Sequence, residues 1–125
     1  MSHTVEKIGG TSMSNYPAVR DNIIIGNRGS GDYYQRIFVV SAYGGVTNLL
    51  LEHKKTDQPG IYALFTDADD EQAWRKAVDS LREALHAINR KLYTDDELLE
   101  AADSFIDQRI DDAKTVLDNL RNLCE

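Results

Sequence analysis

Two short stretches hold the residue types that phosphate chemistry needs. The first is Lys7-Ile8-Gly9-Gly10-Thr11-Ser12, a lysine at the end of a β-prone run followed by two glycines and two hydroxyls. Backbone N–H groups exposed at a glycine turn can hold phosphate oxygens, and a lysine ammonium offsets charge developing on a transferring phosphoryl group. The second, Ser41-Ala42-Tyr43-Gly44-Gly45-Val46-Thr47-Asn48, repeats the arrangement with small residues, a glycine pair and hydroxyls. Taken singly, each stretch is equally explained as a tight turn after a strand. Facing one crevice from neighbouring strand ends, the two together point to a phosphate or carboxylate site.

Other chemistries find no such support. There is no Gly-x-x-x-x-Gly-Lys-Ser/Thr loop, and Gly26, Gly29 and Gly31 follow a predicted helix where a dinucleotide fingerprint would follow a strand. His3, His53 and His86 are isolated and read as solvated surface, so no metal site is expected. Asp67, Asp69 and Asp70 cluster at an expected helix start, where acids offset the helix dipole.

The elements that must position the two loops follow from periodicity. Thr4 to Ile8 reads as a strand and Asn15 to Ile25 as a helix that Ser14 can cap and whose first turn tolerates Pro17. Gly26 to Asp32 reads as a surface loop. Ile37-Phe38-Val39-Val40 is a continuous apolar run, the pattern of a strand buried on both faces. Thr47 is then placed to cap a helix running to Lys54. The expected fold class is therefore α/β, a parallel β-α-β-α unit over 1–66 with a glycine pair at the carboxyl end of each strand.

From 67 to 125 the pattern changes to helices. Trp74, Val78, Leu81, Leu85, Ile88 and Leu92 make one apolar stripe, core or oligomer seam, on a helix from about Asp69 to Leu92. Thr94 with Glu97 reads as a capping box for a second helix whose stripe runs Leu98, Ala101, Phe105, Ile106, Ala113, Val116, Leu117, Leu120 and Cys124. An antiparallel helical hairpin is expected. Two strands seldom make a self-sufficient parallel sheet, so completion by the rest of a longer protein is expected in preference to a second copy.

The 125 residues suit one domain, and 42% hydrophobic residues suit a packed core. Residues 1–66 hold 6 bases and 5 acids and residues 67–125 hold 8 and 16, giving charges of +1 and −8. An anionic ligand therefore belongs in the first half, the acidic half reads as solvated helix surface, and a nucleic-acid partner is not expected. One cysteine excludes an intrachain disulfide and, read as a helix-packing residue, fits a reducing compartment. No signal peptide or membrane-length apolar run appears, so a cytoplasmic protein is expected.

The two loops resemble those of the aspartokinases of the amino acid kinase family, whose strands end in Lys-Phe-Gly-Gly-Thr-Ser and Ser-Ala-x-x-Gly-x-Thr-x-Leu motifs. Here Ile8 stands for the usual Phe, and the second motif reads Ser41 to Leu49. The resemblance extends in outline through the helices, and Leu50-Leu51-Glu52-His53-Lys54-Lys55 is most similar to the aspartokinases found with ectoine synthesis genes. It implies the N-terminal half of a three-layer, carbamate kinase-like fold with the hairpin as a lid insertion. It further implies transfer of the γ-phosphoryl group of ATP to L-aspartate, with Mg²⁺. By motif, Lys7 is the catalytic residue, Lys7, Gly9, Gly10, Ser12, Gly44 and Gly45 bind ATP phosphates, and Ser41, Ala42 and Thr47 contact the aspartate. The family's later Gly-Glu and Gly-Arg-Gly-Gly-Ser-Asp segments and its ACT domains are absent, so a fragment inactive alone is expected. Homo-oligomerisation is also expected. The competing readings are a stand-alone helical dimerisation module and another amino acid kinase.

Overall fold

The computed structural model describes residues 2–67 and 70–124, and leaves the side chain of Cys124 undescribed. The expected helix start at Asp69 and the packing role of Cys124 lie outside the described residues. The chain is mixed α/β and mostly helical, and it divides into two compact units, Met1–Thr47 and Asn48–Glu125.

The first unit is built on a two-stranded parallel sheet, β1 (Thr4–Ile8) and β2 (Arg36–Val40), with Glu6 opposite Phe38 and Ile8 opposite Val40. Between the strands lie α1 (Gly10–Met13) and α2 (Tyr16–Val19), the latter continuing as a π-helical turn over Arg20–Ile25, then a 3₁₀ turn at Ser30–Tyr33. Pro17 stands in the first turn of α2, where its missing N–H costs no helical hydrogen bond. Asn15, not Ser14, occupies the N-cap position, without a side-chain cap, and the Ser14 hydroxyl bonds to the Gly10 carbonyl instead.

Arg36 ties this unit together. Its guanidinium makes two hydrogen bonds to the Glu6 carboxylate, each 2.7 Å, and donates to the Ile23 and Ile24 carbonyls at 2.8 Å. It also stacks 4.6 Å from the Phe38 ring centroid, leaving its side chain only 6% exposed. Those carbonyls end the π-helical turn, where no further helical N–H is available to them. One planar cation thus joins both strands to the helical connection. The double burial expected for β2 is not met: Ile37, Val39 and Val40 are each at least half exposed, since a sheet of two strands leaves its faces to be covered by something else.

The second unit is helical. α3 (Val46–Leu50) begins at the junction and stops at Leu50, short of the expected Lys54, because the chain doubles back on itself. His53 N–H donates to Gln58 O at 2.9 Å and Gly60 N–H to Leu51 O at 2.8 Å. A Cβ at Gly60 would stand 2.5 Å from the Leu51 carbonyl, so only glycine fits this return. His53 itself accepts from the Lys55 and Thr56 N–H groups, so it closes the turn and is no mere solvated side chain. α4 (Ile61–Thr66) packs on α5 (Glu71–Leu92), which groups residues 48–66 with the helices.

The α5 stripe is confirmed, with Trp74 fully buried and Val78 and Leu81 nearly so. Phe65 meets the Trp74 ring edge-on at 5.6 Å. Asp70 caps α5 by accepting from the Gln72 and Ala73 N–H groups. α6 (Asp96–Cys124) is capped by Asp95, which accepts from Leu98 N–H at 3.0 Å, one residue later than the Thr94 box predicts. A carboxylate there also offsets the helix dipole, which a threonine hydroxyl cannot do.

The acids of α6 are not simply solvated. Arg82 reaches both Asp107 and Asp111, Arg75 reaches Asp118 at 2.6 Å, and buried Asn89 donates to Asp103 at 2.8 Å. His86, expected on the surface, is half-buried with Nε2 2.9 Å from Asp107. The hydrogen bonds from Arg82 hold the Asp107 carboxyl below the ordinary 3.8. In the first unit those from Arg36 hold Glu6 below 4.5.

Trp74→Ala should destabilise the chain by about 3–5 kcal/mol, measured by urea unfolding followed by circular dichroism. Both carboxyls titrate lower folded than unfolded, so their stabilisation is complete above the ordinary carboxylate range and is lost as pH falls through the lowered values. The melting midpoint should therefore fall on acidification below about pH 4. Arg82→Ala should flatten that fall, and an unchanged pH profile would count against the assignment.

Candidate functional site

Parallel pairing carries β1 and β2 to the same end of the sheet, and the ladder extends one step further as Ser41 N–H donates to Ile8 O at 3.0 Å. The two glycine loops therefore leave the sheet side by side. Lys7, opposite Val39, lies on the other face of β1 from buried Ile8, and it is exposed.

After β1 the backbone turns at Gly9 directly into α1. Met13 N–H donates to Gly9 O and Ser14 N–H to Gly10 O, so the N–H groups of Gly10, Thr11 and Ser12 have no partners inside that helix. After β2, Val46 N–H donates to Tyr43 O at 3.1 Å, closing a turn around Gly44 and Gly45. Gly45 holds φ at 88°, a left-handed conformation that other residues rarely adopt.

The loops are locked together by Ser14. Its hydroxyl donates to Gly10 O at 3.0 Å and accepts from Gly44 N–H at 2.9 Å, bridging one glycine pair to the other. Packing reinforces the lock, since a Cβ at Gly10 would stand 3.1 Å from the Ala42 carbonyl and one at Gly44 2.5 Å from the Ser14 hydroxyl. Gly9 differs, with nothing within 4 Å of where its Cβ would stand. Its lack of a side chain leaves open space and satisfies no packing demand.

Of the residues singled out by sequence, Lys7, Gly9, Gly10, Ser12, Ser41, Ala42, Gly44 and Gly45 all belong to these adjoining strand ends. Thr47 falls inside the first turn of α3 and is exposed, where sequence placed it as the cap. Ser14 is the linking residue that sequence reasoning assigned only to helix capping. Its position four residues after Gly10 was the available signal, since a serine there can bond back to the carbonyl one turn earlier. Among the described residues, no group of three or more His, Cys, Asp or Glu side chains could hold a metal ion.

Over 122 residues, 98% of this chain, the sequence is 56% identical to the aspartate kinase Ask_Ect of Stutzerimonas stutzeri (strain A1501). The chain carries aspartokinase sequence. It spans 26% of the length of that relative, and at 98% coverage the aspartokinase match takes in both glycine loops. No family model and no solved structure matches the chain. No described helix is long and apolar enough to cross a membrane.

The Ser14 bridge makes a direct test. Gly44→Ala should lower stability by about 1–2 kcal/mol, as the new Cβ displaces the hydroxyl and breaks its hydrogen bonds. In combination with Ser14→Ala the cost should be clearly less than the two single costs added, measured as a double-mutant cycle in urea. Strict additivity would show that the hydroxyl does not link the loops.

Proposed function

We propose that this chain contributes the phosphate-handling part of an aspartate kinase. In that reaction a side-chain carboxylate oxygen of L-aspartate attacks the γ-phosphorus of ATP. The bond to the bridging oxygen breaks, and 4-phospho-L-aspartate and ADP leave. The observation that carries the reading is the pair of glycine loops joined through Ser14 at one end of a parallel sheet, in a sequence 56% identical to an aspartate kinase.

Each residue then has a role that its geometry supports. Lys7, exposed at the strand end, offsets negative charge on the phosphoryl group as the bond to ADP breaks. Gly9 leaves room for a phosphate to approach, and the N–H groups of Gly10 and Ser12 are available to its oxygens. Gly44 and Gly45 let the second loop pass close to the same phosphates, while Ser41, Ala42 and Thr47 line the aspartate side. Magnesium would travel with the nucleotide, neutralising phosphate charge, and the roles given to these residues do not depend on it. The work is positioning and charge stabilisation, with little covalent chemistry for the protein.

The wider reading follows the same resemblance. The β-α-β-α segment over 1–66 is the substrate half of a kinase domain of the amino acid kinase fold, and the helices over 67–125 form its lid. The reaction takes place in the cytoplasm, in the ectoine-linked branch of the family. Residues that bind adenine and the aspartate α-carboxylate lie outside these 125, so this chain by itself does not turn over.

A coupled ADP-release assay with L-aspartate, ATP and Mg²⁺ tests this on the 125-residue chain and on the uninterrupted reading frame that encodes it. Aspartate-dependent ADP release is expected from the latter alone, and its absence from both would refute the reading. In the active protein, Lys7→Ala should lower kcat by about 100-fold or more. Gly9→Ala should raise KM for ATP with an unchanged melting temperature, because its methyl occupies only the open space. A Lys7→Ala enzyme with near-normal kcat would remove that residue from its role.

A further inference from the structure

Helix α6 carries two apolar faces, and its partner in the hairpin covers only one of them. Ile106, Ile110 and Leu117 lie on the side toward α5, together with the acids that meet Arg75, Arg82 and Asn89. The outer side presents Leu98, Ala101, Phe105, Arg109, Asp112, Val116, Leu120 and Leu123, of which Val116 also lines an apolar pocket with Ile110, Leu117 and the α5 residues Val78 and Leu81. At about 100° per residue all eight fall within a band of about 100°, a single stripe about 38 Å long. Every one is exposed: Leu98 at 57%, Phe105 at 62%, Val116 at 57% and Leu123 at 82%. Sequence periodicity merges the two faces into one stripe; in the structure they are distinct along most of the helix and meet at Ala113 and Val116.

The order of residues along that stripe is symmetric. Leu98 and Leu123, Ala101 and Leu120, Phe105 and Val116, and Arg109 and Asp112 are each equidistant from the midpoint between residues 110 and 111. Laid antiparallel against an identical helix, the stripe therefore sets apolar residues against apolar residues on either side of its centre, with Ala102 opposite Asn119 at the edges of the same band. At its centre Arg109 meets Asp112 of the second copy, and Asp112 meets its Arg109. A parallel pairing would instead set arginine on arginine and aspartate on aspartate. Within one chain Arg109 and Asp112 lie 3.1 Å apart, with Arg109 5.7 Å from the Phe105 ring centroid, so both charges already sit on this face.

We propose that α6 is a homodimerisation helix, pairing antiparallel with α6 of a second copy about a two-fold axis that passes near residues 110 and 111. Such an interface is isologous, and self-complementary order about the axis is what it requires. The central ion pairs fix orientation and register, while the flanking leucines, Phe105 and Val116 supply the apolar burial.

Sedimentation equilibrium on the 125-residue chain in the micromolar range tests this, with circular dichroism confirming that each variant is folded. The chain itself should sediment as a dimer. Arg109→Glu and Asp112→Arg each place like charges at both central contacts, and each should weaken self-association by about tenfold or more. An equimolar mixture of the two variants restores opposite charges at both contacts, so it should form a heterodimer, as the Arg109→Glu/Asp112→Arg double variant should form a homodimer. A monomeric parent chain overturns the proposal. So does a dimer indifferent to both reversals, which would put the contact on another surface such as the exposed sheet, and so does a mixture that fails to associate.

Discussion

Parallel pairing of β1 with β2 is the constraint on which the candidate site depends. Two sequence segments separated by the whole helical connection can deliver their glycine loops to one place only if both strands run in the same direction and in fixed register. The register is held at both ends. Arg36 grips Glu6 and the terminal carbonyls of the π-helical turn at one end, and the Ser41 to Ile8 hydrogen bond with the Ser14 bridge closes the other. A one-residue slip would move Glu6 away from Arg36 and turn Lys7 to the opposite face. The half-buried ion pair is thus a registration device as much as a source of stability, and its two extra contacts reach the carbonyls of Ile24 and of Ile23, the latter shared with Arg28.

The helical unit solves a different problem. Beside the apolar stripe on α5, polar contacts to α6 span nearly the whole length of the hairpin. Asn89 with Asp103, Arg82 with Asp107 and Asp111, and Arg75 with Asp118 repeat at intervals that bring each onto the same side of α5. The strongly acidic composition of this part of the chain is therefore partly structural. Acids on α6 answer bases on α5, and their surplus gives the unit its negative charge.

Much of this was legible in the residues, and what was not has specific causes. The strands, the glycine pairs after them, the α5 stripe and the helical hairpin all follow from local pattern, and the motif pair carries the resemblance to the aspartokinases. Arg36 was silent, because nothing about an arginine at the start of a strand says which distant carboxylate and carbonyls it will meet. The linking role of Ser14 depends on a loop 30 residues away. Gly60 reads as part of a turn, yet its need for glycine comes from carbonyls of Leu49 and Leu51 pressed against it. Helix α3 stops early for the same reason, since a tertiary return overrides a locally acceptable helix. Periodicity also cannot tell how many faces of an apolar helix are covered, which is why α6 reads as one stripe.

The contrast between the two units has a kinetic side. The helices α5 and α6 meet at the short turn around Tyr93 to Asp95, and from there each successive contact closes only a small additional loop. A hairpin of this kind can zip up quickly. Strands β1 and β2 have no such starting turn, because parallel neighbours must first bring together segments separated by the whole of α1, α2 and the loop beyond. That single closure has to be made before any of its rewards arrive, including the seating of Arg36 and the meeting of the glycine pairs. On a ribosome the first strand emerges well ahead of its partner and must wait, with Ile8 uncovered, until β2 follows. The end of the chain made first is thus the end whose final shape depends most on what is made later.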